Sequence, residues 1–271
     1  MSITFSTSWY MLKSKFYPAT YERWIKNFLF VTENCNVVIY TDEESKQLIP
    51  SLLKLKNKDN YKIVVKPFNK FYNYKYQLEF QENHKKNKML NKFTEWKLNA
   101  LWCEKVHFVQ ETMEKKYFDS EYYAWCDIGY FRNNLTDLNV AQLIQWPNKE
   151  TISFLNKKKI HYACVNNDEM YIQKLFRCIA KKDKNGIPEG EIPANQISIA
   201  GGFFIAHHDK VTWWRDTFDN KLNLYFKNNA LVKDDQIIIA DCVFSNLKEF
   251  SLHKENNPQY DNWFLFQRVL K

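Results

Sequence analysis

Seven short runs rich in β-branched and aromatic residues recur along the chain, and most of the segments between them carry a helical period. The runs are Ile3 to Ser8, Asn36 to Thr41, Tyr61 to Lys66, Tyr122 to Cys126, His161 to Val165, Gly202 to His207 and Glu249 to Leu252. Between them, Tyr21, Trp24, Ile25, Phe28 and Leu29 follow a 3.6-residue spacing after Pro18. Leu98, Leu101, Trp102, Lys105, Phe108 and Val109 do the same in what reads as the longest helix. Alternation of this kind argues for an α/β fold. The 271 residues suffice for one sizeable core, and with no repeat, long linker or low-complexity tail they read as a single domain over residues 1–271. A hydrophobic fraction of 45% with 17% aromatic residues excludes a disordered chain.

The formal net charge of +8 has two readings. A Lys- and Asn-rich, Gly-poor composition follows from AT-rich coding, whereas a basic surface also attracts anions such as nucleic acid, membrane phosphate or a nucleotide diphosphate. The runs Lys54 to Lys58, Lys157 to Lys159 and Lys181 to Lys184 look like solvated loops. Six cysteines scattered singly, with no CxxC pair, indicate neither a zinc knuckle nor a disulfide framework, and read as buried thiols in a reducing compartment. Met1 to Tyr10 carries no signal-peptide pattern and no run is long enough to span a bilayer. A cytoplasmic protein is expected, with peripheral membrane contact left open.

Two local features are weaker. Asp42-Glu43-Glu44 opens a helix after the second strand, with Asp42 available as a cap. The Gly- and Pro-punctuated segment Lys181 to Pro193 reads as an exposed loop that could act as a lid.

The chemistry concentrates where the few glycines are. Of five glycines, Gly129 and the pair Gly201-Gly202 lie beside strands, positions that call for positive φ or close approach to the backbone. A tight turn and a β-bulge are the plain alternative. The apolar strand Tyr122 to Cys126 ends in Asp127, and α/β sheets bind ligands beyond the carboxyl ends of their strands. Asp127, followed by Gly129 and Arg132, can hold a divalent cation or ribose hydroxyls, and oxygen ligands with phosphate suit Mg or Mn. Alternatively, Asp127 caps a turn and pairs with Arg132.

The segments Leu101 to Glu111 and Tyr123 to Arg132, with Gly201-Gly202-Phe203-Phe204 and Asp234-Asp235-Gln236, resemble the bacterial HtrL/YibB-like (WlaTC/HtrL) glycosyltransferases over most of the chain. The resemblance implies a GT-A-like mixed central sheet flanked by helices. It also implies a nucleotide-sugar donor, most readily a UDP-sugar, a glycan or other hydroxyl acceptor, and a place in surface polysaccharide synthesis. On that reading Lys105 directs its ammonium to the donor diphosphate, although a lysine in an apolar stripe can also snorkel to water. GT-A enzymes commonly use Asp-x-Asp. Here Gly129 stands in place of the second acid, and His253 is the candidate for a remaining metal ligand, or else a structural histidine. Gly201 and Gly202 would leave room for the sugar. Asp235 and Gln236 would bind its hydroxyls, with Asp235 also a candidate general base and Asp234 an N-cap. The competing readings are a basic nucleic-acid-binding protein using Phe71 to Tyr76, a metal-dependent hydrolase or nucleotidyltransferase, and a catalytically degenerate nucleotide-sugar binder. No stable nucleic-acid partner is expected.

Overall fold

The computed structural model describes residues 2–47 and 58–271. All seven expected strands form within one sheet: β1 (Ile3–Trp9), β2 (Asn36–Thr41), β3 (Tyr61–Val65), β4 (Tyr122–Cys126), β5 (Ile160–Ala163), β6 (Phe203–His207) and β7 (Phe250–His253). Their order is β3-β2-β1-β4-β6-β5-β7. β3, β2, β1 and β4 run parallel, β6 is antiparallel to both β4 and β5, and β7 is parallel to β5. The sheet is therefore mixed, as expected.

The helices are α1 (Pro18–Val31), α2 (Gln77–Lys86), α3 (Trp96–Glu114), α4 (Lys149–Ser153), α5 (Glu169–Ala180), α6 (His208–Lys227), α7 (Asp235–Ser245) and α8 (Phe266–Val269). Strand side chains alternate between two cores, as the pleat requires. Val37, Ile39, Ala124, Cys126, Phe203 and Ile205 join Ile25, Phe28 and Leu29 of α1 in one of them. Val38, Tyr40, Tyr123, Trp125, Phe204 and Ala206 join α3, α6 and α7 in the other. Pro18 opens α1, where its missing N–H would have had no helical partner. Among the described residues no helix is long and apolar enough to cross a membrane. The six cysteines are free thiols.

Three expectations change. The longest helix is α6, at 20 residues against 19 for α3. Its buried stripe of Val211, Trp214, Phe218, Leu222 and Tyr225 is interleaved with charged residues that mask the period over short windows. Asp42 does cap, accepting from the Ser45 amide at 2.7 Å, but only a 3-10 turn at Ser45–Gln47 follows before the described residues end. The run from Lys54 likewise falls outside them up to residue 57. The Lys181 to Pro193 segment is tied down rather than draped over a cleft. Lys182 Nζ reaches the buried Asp241 carboxylate at 2.5 Å, and Lys182 bridges to Pro188.

α3 buries charge on two sides, which fixes its rotation. Glu104, fully buried, accepts from the amides of Tyr72 at 2.7 Å and Asn73 at 3.0 Å. Burial pushes its carboxyl up to about 7, against the pull of Lys66 and the two amides. Glu104→Ala should lower stability by about 1–3 kcal/mol for each amide left without an acceptor. Glu104→Gln, which keeps one acceptor oxygen, should lose distinctly less. Equal melting temperatures for the two variants in thermal unfolding would show that Glu104 does not act by holding those amides.

The segment Phe71 to Tyr76 is equally committed. Phe71 is buried, Tyr72 stacks on His107 with centroids 4.0 Å apart, and Tyr72 and Lys75 both reach Asp219. Rings engaged in this way are not a free platform for bases.

Candidate functional site

A crevice opens where the strand order reverses. β1 pairs with β2 as far as Trp9 opposite Thr41, but with β4 only as far as Ser6 opposite Trp125. Thr7, Ser8 and Trp9 therefore lack a strand neighbour on the β4 side. Beyond the carboxyl ends of β1 and β4 lie two adjoining compartments of about 270 and 370 Å³. This is the switch point at which open α/β sheets bind ligands. The first compartment is aromatic, walled by Trp9, Tyr10, Phe16, Tyr21, Trp24 and Trp102. The second is polar, with Lys15, Asp234, Asp235, Gln236 and Asp261 around Gly201 and Gly202. Lys105, Asp127, Gly129 and Arg132 border both.

Asp127 is the first residue past β4. Its amide donates to Gly202 O at 2.9 Å, and its carbonyl accepts from the Tyr130 amide at 2.8 Å, which turns the chain. Its Oδ1 accepts from Trp125 Nε1 at 2.6 Å and lies 3.2 Å from Lys105 Nζ. The charged partner of Asp127 is thus Lys105, not Arg132.

Lys105 does not snorkel. The residue is 7% exposed, and Nζ donates to Gly201 O at 2.8 Å while lying 3.1 Å from Asp235 Oδ2. That second contact is a close ion pair not aligned as a directed hydrogen bond. Burial pushes the Lys105 ammonium down, but Asp127 and Asp235 outweigh it and hold the pKa above the ordinary lysine value. Asp235 itself is driven up by burial, opposed by Lys105 and reinforced by Asp234 and Asp127. The two shifts agree: one buried ammonium serves a surplus of carboxylates.

α7 delivers Asp235. Asp234 is its N-cap, accepting from the Gln236 amide at 3.2 Å, which places Asp235 on the first turn facing Lys105. The glycines make this approach possible. A Cβ on Gly201 would lie 3.0 Å from Asp235 Oδ2, and one on Gly202 would lie 3.3 Å from Asp127 Oδ2. Neither has the positive φ that was one reading of these positions; close approach is the reason. At Gly129 the approaching group is the Trp24 ring, 2.9 Å from where a Cβ would sit.

That same ring holds Arg132. The guanidinium lies 4.4 Å from the Trp24 ring centroid, 5.0 Å from Phe264 and 5.4 Å from Phe16, and Nε donates to Gly129 O at 3.3 Å. Among the described residues it forms no ion pair with a carboxylate.

The ligand set expected for a divalent cation is not assembled. His253 Nε2 is 2.9 Å from His161 Nδ1, and His253 ends β7, with two strands, β6 and β5, lying between it and β4. Three strand spacings, about 14 Å, separate it from Asp127. Gly129 offers no second acid, and the remaining carboxylate partner of Asp127 is reached through Lys105. His207, His208 and Asp209 do bring ligand atoms close together. They lie at the end of β6 and the start of α6, however, and the antiparallel course of β6 carries them to the opposite end of the sheet, with His207 opposite Tyr122.

Lys15, Phe16, Tyr21, Trp24, Trp102 and Asp261 complete the crevice and were not anticipated. The rule that singled out Asp127, a polar group just past the carboxyl end of a buried strand, points equally to the loop after β1 that carries Lys15 and Phe16.

No family model and no curated protein matches the chain, so the HtrL/YibB resemblance gains no support from sequence comparison. Among solved structures, the galactosyltransferase LgtC in complex with donor and acceptor sugar analogs aligns with a TM-score of 0.44 at 12% identity, covering 89% of this chain and 70% of that one.

Proposed function

We propose that the chain is a glycosyltransferase of the GT-A type, moving a hexose-type sugar from a nucleoside-diphosphate donor to a hydroxyl of a glycan or other acceptor. The observation that carries this reading is Arg132, a guanidinium that forms no ion pair with a carboxylate among the described residues, at the junction of an aromatic and an acid-lined compartment. A nucleotide sugar has that same order of parts: a flat base, an anionic diphosphate and a polyhydroxyl ring. Aromatic rings take the base by stacking, Arg132 and Lys15 meet the diphosphate, and the carboxylates accept hydrogen bonds from sugar hydroxyls.

The chemistry then follows from charge placement. As the bond to the diphosphate breaks, negative charge grows on the leaving group beside Arg132 and Lys15, and fixed cations in a partly enclosed cleft stabilise it without reorganising. Asp235 receives the acceptor proton, its raised pKa suiting it to do so near neutrality. No step is assigned to a metal ion.

Thermal unfolding with UDP, GDP, TDP and CMP tests the donor site. One nucleoside diphosphate at about 100 times its Kd adds about 2.7 kcal/mol of stability, an increase of several degrees in melting temperature. The matching nucleotide sugar should then release that diphosphate in the presence of an acceptor. If no nucleotide raises the melting temperature, the proposal fails; if one does but its sugar conjugate is never turned over, the chain is a binder only.

A further inference from the structure

We infer that the Lys105 ammonium is the resident cation of this site, holding Asp127 and Asp235 together as a divalent metal would, so that donor binding and transfer require no metal ion. The inference rests on the donor-site reading above. Three oxygens surround Nζ: Gly201 O at 2.8 Å, Asp235 Oδ2 at 3.1 Å and Asp127 Oδ1 at 3.2 Å. An ammonium has three N–H groups and no acceptor, and three oxygens match them in number, Gly201 O as a directed hydrogen bond and the two carboxylates as close ion pairs. An all-oxygen shell of two carboxylates and a carbonyl is also the chemistry that hard divalent cations favour. Here its centre is filled by a charge tethered to α3.

The cage is built rather than incidental. Its carbonyl comes from Gly201, and the absence of side chains at Gly201 and Gly202 lets Asp235 and Asp127 close on the ammonium. The Lys105 side chain is 9% exposed and that of Asp235 is 5% exposed, so solvent screens their attraction little. A divalent ion placed between the two carboxylates would meet a fixed positive charge in direct contact with both. Neither substitute ligand is at hand, since Gly129 carries no acid and His253 is engaged by His161. With the carboxylates neutralised internally, the diphosphate falls to Arg132 and Lys15, which line the crevice without a carboxylate ion pair among the described residues.

Removing the ammonium should create what it replaces. The test measures Mn²⁺ binding by electron paramagnetic resonance, and nucleoside-diphosphate binding by thermal shift in EDTA or in Mn²⁺, for the wild type and for Lys105→Ala. The wild type should show the same diphosphate-induced shift in both conditions, within about twofold in apparent affinity, and no saturable Mn²⁺ site with or without nucleotide. Lys105→Ala should gain a saturable Mn²⁺ site and a Mn²⁺-dependent rise in melting temperature. Should that variant fail to fold, the wild-type comparison decides alone. A wild-type shift that appears only with Mn²⁺ overturns the inference while leaving the donor site intact. Absence of a shift in both conditions removes the donor-site reading, and this inference with it.

Discussion

Asp235→Asn lowers the rate of sugar transfer by about 10²- to 10⁴-fold, the range expected for loss of a positioned general base, while nucleoside-diphosphate affinity stays within a few-fold. Asparagine keeps the size and one acceptor oxygen but cannot take a proton. Asp235 is fixed on the first turn of α7 by the Asp234 cap and is almost fully buried against Lys105. Burial raises its pKa most, Lys105 opposes this, and Asp234 and Asp127 add to it. The rate should therefore fall on the acid side at a pH above the usual carboxylate range, and that limb should vanish in the variant. The stability effect has a definite sign. Between the unfolded and folded pKa values the native state keeps a proton that the unfolded chain has released, so this residue makes the fold less stable as pH rises through that window. Asp235→Asn removes the slope. An unchanged kcat, with only a lower melting temperature, would assign Asp235 a structural role.

The sheet was legible because its signal is short-range. β-branched and aromatic runs such as Asn36 to Thr41 need only the period of two, and every strand formed within about two residues of its expected bounds. Asp127 and the glycine pair were legible for a related reason, since a strand end followed by a small residue marks close approach. The partners were not. Arg132 and Asp127 are five residues apart and opposite in charge, which favours pairing on sequence grounds, yet Lys105 from another element reaches Asp127 first. Gly129 suggested room for a ligand, whereas the room is filled by Trp24, 105 positions away in sequence. His253 follows a strand as a metal ligand might, but only the strand order shows that two strands intervene. Such contacts are set by topology, which local patterns do not encode.

Arg132→Gln should weaken nucleoside-diphosphate binding by about 10- to 100-fold, the equivalent of about 1.5–3 kcal/mol for charge-assisted hydrogen bonds. Binding of the matching nucleoside, which lacks phosphate, should be nearly unchanged. The discrimination follows from where Arg132 sits. Its guanidinium plane is held among Trp24, Phe264 and Phe16, and its Nε is tied to Gly129 O. This leaves the terminal nitrogens to meet an anion without first breaking an ion pair. Aromatic faces suit a guanidinium better than an ammonium, and only the guanidinium offers a planar fork to phosphate oxygens. Arg132→Lys should accordingly recover only part of the affinity, and the wild-type affinity should fall with ionic strength more steeply than that of Arg132→Gln. Calorimetric titration of each variant with the diphosphate and the nucleoside reads all of these. If both ligands weaken equally in Arg132→Gln, the guanidinium serves to pack the rings that hold the base, and the cation facing the diphosphate must be sought at Lys15.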